Sequence, residues 1–142
     1  MLGTVLRMTT TQLTGKASFT SWDEEPGYDS GAPVPRLARA RVEFQYEGDL
    51  VGTSACHLAM HYAGEHDGTA VGFERLEVRT GSGEEGTIVL RSECEFHGEG
   101  VDTTWTVVPG SGTGALSGFE GSGGFHAPAQ STSWTWQLNR EG

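Results

Sequence analysis

The sequence is poor in cysteine, in basic residues and in long apolar runs, and each shortage excludes a class of function. Lys and Arg number 9 against 19 Asp and Glu, and the net charge of −10 repels phosphate backbones and anionic lipid surfaces. No apolar run approaches the roughly 20 residues that a membrane-spanning helix needs. We therefore expect neither nucleic acid nor a membrane as a partner.

The two cysteines, Cys56 and Cys94, lie far apart and form no C-x-x-C motif. This spacing does not predict a zinc site with sulfur ligands, and it favours free thiols in a reducing compartment. The first residues lack the apolar core of a signal peptide, so we expect a cytoplasmic protein. Residues 1–11 are predicted to form a frayed extension, with Met8 as an alternative start, and residues 12–142 a single domain.

Glycine is abundant, with 22 residues, and the hydrophobic content is 35%, which together favour short strands and tight turns over long helices. Apolar and polar residues alternate with period two, most clearly where Ala38, Ala40, Val42, Phe44 and Tyr46 occupy every second position. Similar alternation recurs at residues 16–20, 56–62, 88–96, 104–108 and 133–138. About seven or eight strands in hairpin order usually close into a barrel or stack into a sandwich, and we favour an all-β, antiparallel eight-stranded barrel.

Two longer segments show no strand pattern. Residues 23–36 contain Pro26, Pro33 and Pro35, and this segment is a candidate lid over one mouth of the barrel. Residues 109–124 are rich in Gly and Ser and are predicted to contain a short helical turn. Long loops in compact domains often carry function, so both segments are of interest.

Four strings carry a resemblance to a known family: residues 21–26 (SWDEEP), 48–50 (GDL), 71–75 (VGFER) and 105–114 (WTVVPGSGTG). Over residues 12–138 the chain resembles an uncharacterised bacterial family, domain of unknown function 3224, within the allene oxide cyclase-like barrels. The resemblance implies an antiparallel eight-stranded barrel with an internal small-molecule cavity. That superfamily includes plant allene oxide cyclases and bacterial cyclases of polyketide intermediates, which need no cofactor.

Glu74 is the strongest candidate for a catalytic residue. The apolar phase of Leu76 and Val78 turns its side chain toward the barrel interior. Burial would raise the pKa of the carboxyl and suit it to general acid or base catalysis near neutral pH. The alternative is a structural carboxylate, satisfied by an interior hydroxyl or by Arg36 or Arg39.

Tyr62 shares the inward phase and is predicted to assist Glu74 as a second catalytic group. Further inward-facing or aromatic side chains are candidates for binding a substrate. Each has ordinary core packing as its alternative. The binding candidates are Trp22, Tyr46, Cys56, Met60, Ser92, Cys94, Trp105 and Trp134.

No metal or cofactor site is predicted. His57 and His61 would share a metal only on a helix, because on a strand their positions lie about 13 Å apart. The glycine string at residues 110–115 (GSGTGA) imitates a phosphate loop but lacks the strand–helix context that such loops need. His66, His97 and His126 are predicted to lie solvated on turns or loops.

These observations give two hypotheses. The first is a cofactor-independent cyclase or isomerase that holds a hydrophobic small molecule, such as a polyketide-type natural-product intermediate, inside the barrel. Confinement would supply most of the catalysis, and Glu74 with Tyr62 would move protons. The alternative is a non-catalytic barrel that binds or carries such a molecule. A homodimer is compatible with either hypothesis.

Overall fold

The computed structural model describes residues 11–27 and 30–141, which contain nine β-strands. All the pairings between them are antiparallel. The strands are β1 (Thr11–Glu25), β2 (Arg36–Gly48), β3 (Leu50–Tyr62), β4 (Gly68–Thr80), β5 (Glu85–His97), β6 (Gly100–Val107), β7 (Thr113–Gly114), β8 (Gly121–Pro128) and β9 (Trp134–Arg140).

Eight of these strands close into a barrel in the order β1-β2-β3-β4-β5-β6-β8-β9, with β9 paired back onto β1. The short β7 lies outside the barrel and pairs with the start of β5. The predicted all-β, eight-stranded antiparallel barrel is confirmed. Most of the predicted N-terminal extension, including Met8, lies outside the described residues, and β1 begins at Thr11.

The two halves of the barrel interior differ in the size of their side chains. Large residues fill the half that contains Leu50, Ile88 and Leu138, all of which are almost completely buried. In the other half several inward positions carry small side chains, among them Ala40, Cys56, Ala70, Ser92 and Cys94. Because interiors otherwise pack to crystal-like density, small side chains facing one another leave space for a cavity.

The segment at residues 23–36 is more regular than the sequence indicates. β1 continues through Glu25 and pairs with β2 as far as Arg39, so the irregular stretch is shorter, and residues 28–29 within it are not described. Arg36 donates from its guanidinium to the backbone oxygens of Ala32, at 3.2 Å, and Gly27, at 3.4 Å. These hydrogen bonds hold part of the segment against the barrel end.

No helix forms within residues 109–124. Successive turns, closed by bonds such as Leu116 N to Thr113 O at 3.0 Å, take its place, and β8 begins at Gly121. β8 carries little alternation because glycine is required there: a Cβ on Gly124 would lie 2.1 Å from the backbone oxygen of Thr103. Across the described part of the chain, no helix has the length and apolar character that a bilayer crossing requires.

β1 pairs with β9 only over residues 11–17, and among the described residues its second half is paired with β2 alone. A β-bulge between Phe19 and Ser21 shifts the register and bends the strand here. Phe19 pairs with Phe44 and keeps the inward phase of Ala17, and the bulge after it brings Trp22 onto the same face, opposite Val42. Both rings lie where β9 no longer covers β1, so Phe19 is 43% exposed and Trp22 is 38% exposed. This free edge leaves an opening into the barrel.

Candidate active site

A cavity of about 230 Å³ occupies the half of the barrel with small side chains. It extends from Glu74 and Ser92 in the interior to the exposed pair Phe19 and Trp22, and the β8–β9 turn at residues 129–131 also lines it. Aromatic rings make up much of its wall: Phe19, Trp22, Phe44, Phe96, Phe125 and Trp134.

A wider depression of about 670 Å³ lies against the outer wall of the barrel. Outward-facing side chains such as His61, Arg91 and Glu93 line it, and it is open to solvent. The interior cavity is more enclosed and mostly apolar, as ligand sites usually are. We therefore take the interior cavity as the candidate site.

Glu74 lies on β4 and is 1% exposed. Its Oε2 accepts hydrogen bonds from the Tyr46 hydroxyl and from Ser54 Oγ, the latter at 2.6 Å. Interior hydroxyls, rather than Arg36 or Arg39, therefore satisfy one carboxyl oxygen. Because the carboxyl also lines the cavity, Oε1 is the oxygen left for a ligand.

Burial raises the pKa of Glu74 from its ordinary value of 4.5 to about 7. The hydrogen bonds from Ser54 and Tyr46, and the indole of Trp105, lower the pKa but do not outweigh the desolvation. At neutral pH the carboxyl is thus divided between its acid and base forms. A group with this pKa can donate or accept a proton during catalysis.

The two cysteines in the cavity are not nucleophiles at neutral pH. Burial raises the pKa of Cys94 to about 11 and raises the pKa of Cys56 further above its ordinary value. Cys94 Sγ also accepts a hydrogen bond from Thr103 Oγ1 at 3.4 Å. Both side chains therefore remain thiols, and Glu74 is the cavity-lining group in the described residues that titrates near neutrality.

Two hydrogen-bond donors in the cavity wall have no protein partner. Ser92 Oγ and Trp134 Nε1 are both buried and have no hydrogen bond of normal geometry within the described residues. The Ser92 hydroxyl does lie near the Cys56 thiol, a weak acceptor, and acts to lower its pKa. The Trp134 ring is held by stacking on Phe125, with centroids 5.2 Å apart, and by tilted contact with Phe19 at 6.0 Å. Buried donors are normally satisfied. Both atoms are covered by neighbouring atoms, so a ligand acceptor in the cavity reaches them after a small rotation of the side chain.

Comparisons with known proteins agree on the fold and the family. Residues 13–138 match the family described as Protein of unknown function (DUF3224). The chain belongs to the DUF3224 family. It is similar to the crystal structure of a DUF3224 protein of unknown function from Shewanella oneidensis MR-1, with a TM-score of 0.72, 21% identity, and coverage of 92% of this chain and 96% of that chain. No curated protein matches.

The cavity of this DUF3224 barrel brings together six of the residues singled out from the sequence. Trp22, Cys56, Glu74, Ser92, Cys94 and Trp134 all line it. Tyr46 and Trp105 are buried beside Glu74 but do not line the cavity. The Tyr46 hydroxyl donates to the Glu74 carboxyl, and both residues act to lower its pKa. Alternation could have identified Ser54, which shares the inward phase of Cys56, whereas Phe125 lies in the glycine-rich β8 and gave no such signal.

The structure does not place Tyr62 beside Glu74. In the β3–β4 register Glu74 faces Cys56, whereas Tyr62 faces Gly68, six residues further along the strand or about 20 Å away. The Tyr62 hydroxyl donates instead to Glu24 Oε2 at 2.8 Å. Met60 also lies away from the cavity and borders the outer depression.

Glu24 links Tyr62 to the mouth of the cavity. Its Oε1 accepts from the Trp22 indole N–H at 2.9 Å, and its Oε2 accepts from Tyr62. The guanidinium of Arg36 lies over the Tyr62 ring, 4.4 Å from its centroid. Tyr62 therefore stabilises the barrel rim and, through Glu24, the position of Trp22.

Tyr62→Phe is expected to lower the free energy of unfolding by about 1–2 kcal/mol, because the Glu24 carboxylate loses the hydrogen bond that the Tyr62 hydroxyl donates to it. Turnover in the cavity is expected to stay within a few-fold of wild type. Urea denaturation and a rate assay would check the two effects. A loss of turnover comparable to that expected for Glu74→Gln would show that Tyr62 takes part in catalysis.

His97 and His126 are not simply solvated on loops. His97 ends β5 and His126 lies within β8, and both rings bind Asp102 of β6, at 2.7 and 2.5 Å. The hydrogen bond to Asp102 raises the pKa of His97, and the same bond lowers the pKa of Asp102. This cluster is held together by hydrogen bonds, and within the described residues no group of three or more His, Cys, Asp or Glu side chains could hold a metal ion.

Proposed function

We propose that this DUF3224 barrel is a cofactor-independent isomerase or cyclase that encloses a small hydrophobic molecule. Glu74 is the general acid–base. The observation that carries the proposal is a buried carboxyl with a pKa of about 7 in the wall of a mostly apolar cavity. A group with this pKa, shielded from bulk water, suits proton transfer to and from carbon or oxygen.

The mechanism combines confinement with proton movement. Rigid aromatic walls hold the substrate in one conformer, which can supply several kcal/mol of the barrier reduction. Tyr46 and Ser54 anchor Oε2 of Glu74, so Oε1 takes a proton at one position of the substrate and returns it at another. An isomerisation or ring closure of this kind is redox-neutral and needs no external electron acceptor.

The cavity volume limits the substrate. At about 230 Å³ it is below the roughly 300–1,000 Å³ of typical ligand pockets, so a small molecule or one segment of a longer chain fits inside. The resemblance to allene oxide cyclase-like barrels supports a cyclase with a role in natural-product biosynthesis. The two free thiols suit a reducing compartment such as the cytoplasm.

A non-catalytic carrier is the second candidate. The exposed aromatic pair at the mouth, Phe19 and Trp22, favours it because such rings can admit and retain an apolar ligand without any proton transfer. A carrier would return the bound molecule unchanged. The two candidates therefore differ in the chemical fate of the ligand rather than in its binding.

The test is to incubate a small-molecule extract with wild-type protein and with Glu74→Gln, and to compare them by chromatographic mass spectrometry. An isomerase or cyclase changes the retention time of a compound and leaves its mass unchanged, and only the wild type does so. A compound that co-elutes with the protein in gel filtration and is recovered unchanged identifies a carrier. If no compound is converted or retained, both proposals fail.

Filling the cavity provides an independent prediction. Cys94→Phe is expected to abolish ligand binding, because the larger ring occupies space in the cavity, at a stability cost of about 1–3 kcal/mol from overpacking. Val71→Phe is the matched control, since Val71 points outward and is 44% exposed. Gel filtration with mass spectrometry reports retained ligand, and circular dichroism reports the fold. Undiminished binding in Cys94→Phe would remove the cavity from the proposal.

A further inference from the structure

We infer that the ligand of the cavity is an uncharged carbonyl compound, a small ketone or enone. Its oxygen accepts hydrogen bonds from donors in the cavity wall, and a neighbouring C–H group faces Glu74. The Ser92 hydroxyl and the Trp134 indole N–H are the available donors. This inference rests on the proposed function, because it names the substrate class for the same cavity.

The two unpartnered donors indicate that the ligand has a hydrogen-bond acceptor. Ser92 is 1% exposed and Trp134 is 5% exposed, so water in the bulk solvent does not satisfy their polar atoms. A buried donor without a partner destabilises the protein, and a ligand acceptor removes that cost on binding. A pure hydrocarbon would leave both donors unsatisfied. The ligand therefore carries at least one acceptor atom.

The charges of the side chains that line the cavity further restrict the chemical class of the ligand. Among the described residues no Lys, Arg or His lines the cavity, so an anionic ligand would find no counter-charge and would be repelled by ionised Glu74. A cation could pair with Glu74 and with the aromatic walls. A protonated or quaternary amine, however, has no lone pair for Ser92 or Trp134. An uncharged acceptor satisfies both constraints.

The register places the Ser92 hydroxyl near the proton-transfer group. On the β4–β5 pair Glu74 faces Leu90, and Ser92 follows two residues later on the same inward face. Diagonal neighbours of this kind lie about 7–8 Å apart at their Cα atoms. A carbonyl oxygen bound to Ser92 therefore brings its α carbon toward Glu74 Oε1.

This arrangement supports a balanced proton shift. Oε1 of ionised Glu74 removes a proton from the α carbon of a β,γ-unsaturated ketone, and the C–H electron pair forms the new C=C bond of a dienolate. The negative charge on oxygen is stabilised by the wall donors. The protonated Glu74 then returns the proton to the γ carbon, and the double bond becomes conjugated. No oxidant, reductant or leaving group is involved.

The binding test uses four six-membered-ring probes and the indole N–H signals of ¹⁵N-labelled protein. The probes are cyclohexanone, methylenecyclohexane as an isostere without a carbonyl oxygen, cyclohexanecarboxylate and cyclohexylammonium. Trp134→Phe identifies the indole signal of Trp134. We expect cyclohexanone to shift this signal downfield and to bind about tenfold more tightly than methylenecyclohexane. Ser92→Ala should remove most of that preference and leave hydrocarbon binding unchanged.

The chemical test uses 3-cyclohexen-1-one, whose conversion to the conjugated 2-enone raises its ultraviolet absorbance. We expect wild type to accelerate this conversion, Ser92→Ala to slow it about tenfold or more, and Glu74→Gln to abolish it. The pH profile of the rate should rise with the ionisation of Glu74 in wild type and in Ser92→Ala alike. A merely structural role for Ser92 would change stability without lowering this rate.

The outcomes separate this inference from the proposed function. Equal affinity for cyclohexanone and methylenecyclohexane, or tightest binding of cyclohexylammonium, overturns the carbonyl class while the cavity remains a ligand site. If none of the four probes binds, the proposed function fails with the inference. Carbonyl-selective binding without conversion of 3-cyclohexen-1-one supports the ligand class and favours the carrier over the isomerase.

Discussion

Glu74→Gln is expected to lower the turnover of the natural substrate by about 10²–10⁴-fold, the usual contribution of a general acid–base. Gln has nearly the same shape as Glu, and its amide oxygen can still accept from Tyr46 and Ser54. It cannot take up or release a proton in the relevant pH range. The substitution should therefore remove the chemistry and keep the cavity.

The matched control for this experiment is Glu77→Gln on the same strand. Glu77 points outward and forms an exposed ion pair with Arg75 at 3.0 Å, so its replacement should leave turnover unchanged. Ligand affinity in Glu74→Gln, measured by titration calorimetry, should stay within about tenfold of wild type. Unchanged turnover in Glu74→Gln would exclude Glu74 from the mechanism.

The pH dependence of the wild-type rate provides a second test of Glu74. Because burial raises the pKa of Glu74 to about 7, the activity of a base mechanism should increase as the pH rises through neutrality. If Glu74 acts first as an acid, the activity should decrease over the same range. A wild-type rate that is flat from about pH 5 to 9 would contradict both roles.

Glu74→Gln is also expected to stabilise the fold at alkaline pH. The folded protein holds the pKa of Glu74 at about 7, above the ordinary value of 4.5 that applies in the unfolded chain. Folding therefore binds a proton between these two values. The contribution of Glu74 to stability is fully present below about pH 4.5 and is lost as the pH rises through about 7. Gln, which is always neutral, avoids this loss.

The expected stabilisation of Glu74→Gln above about pH 8 is on the order of 3 kcal/mol, since each pKa unit corresponds to about 1.4 kcal/mol. At about pH 4 the variant and wild type should be nearly equal. Urea denaturation at both pH values measures the two differences, with Glu77→Gln again as the control. A stability difference that does not change with pH would show that Glu74 is not a buried carboxyl with a raised pKa.

The loss of turnover and the gain in stability have one physical cause. An ionised carboxylate in a mostly apolar cavity destabilises the folded protein, and the same desolvation keeps its proton exchangeable at neutral pH. A residue chosen only for packing would not combine these effects. Observing both in one variant would identify Glu74 as a functional group retained at a cost in stability.

The sequence by itself determined the barrel class and the side of the sheet on which most side chains lie. Strand side chains alternate strictly between two faces, so the phase of Leu76 and Val78 places Glu74 inside without knowledge of any neighbour. The same local rule placed Cys56, Ser92, Cys94 and Trp134 inside. It failed after Phe19, where a β-bulge resets the phase and turns Trp22 inward, and in β8, where close backbone approach requires glycine.

Only the tertiary structure decided which inward residues meet. Period two gives the face of a side chain, but its position along the barrel depends on the register between strands, which is a non-local property. Register separates Tyr62 from Glu74 and joins it to Glu24, and it brings Tyr46 and Ser54 onto the carboxyl. The cavity likewise exists because small side chains from different strands face one another. Its mouth exists because β9 begins opposite Ala17, whereas β1 continues to Glu25.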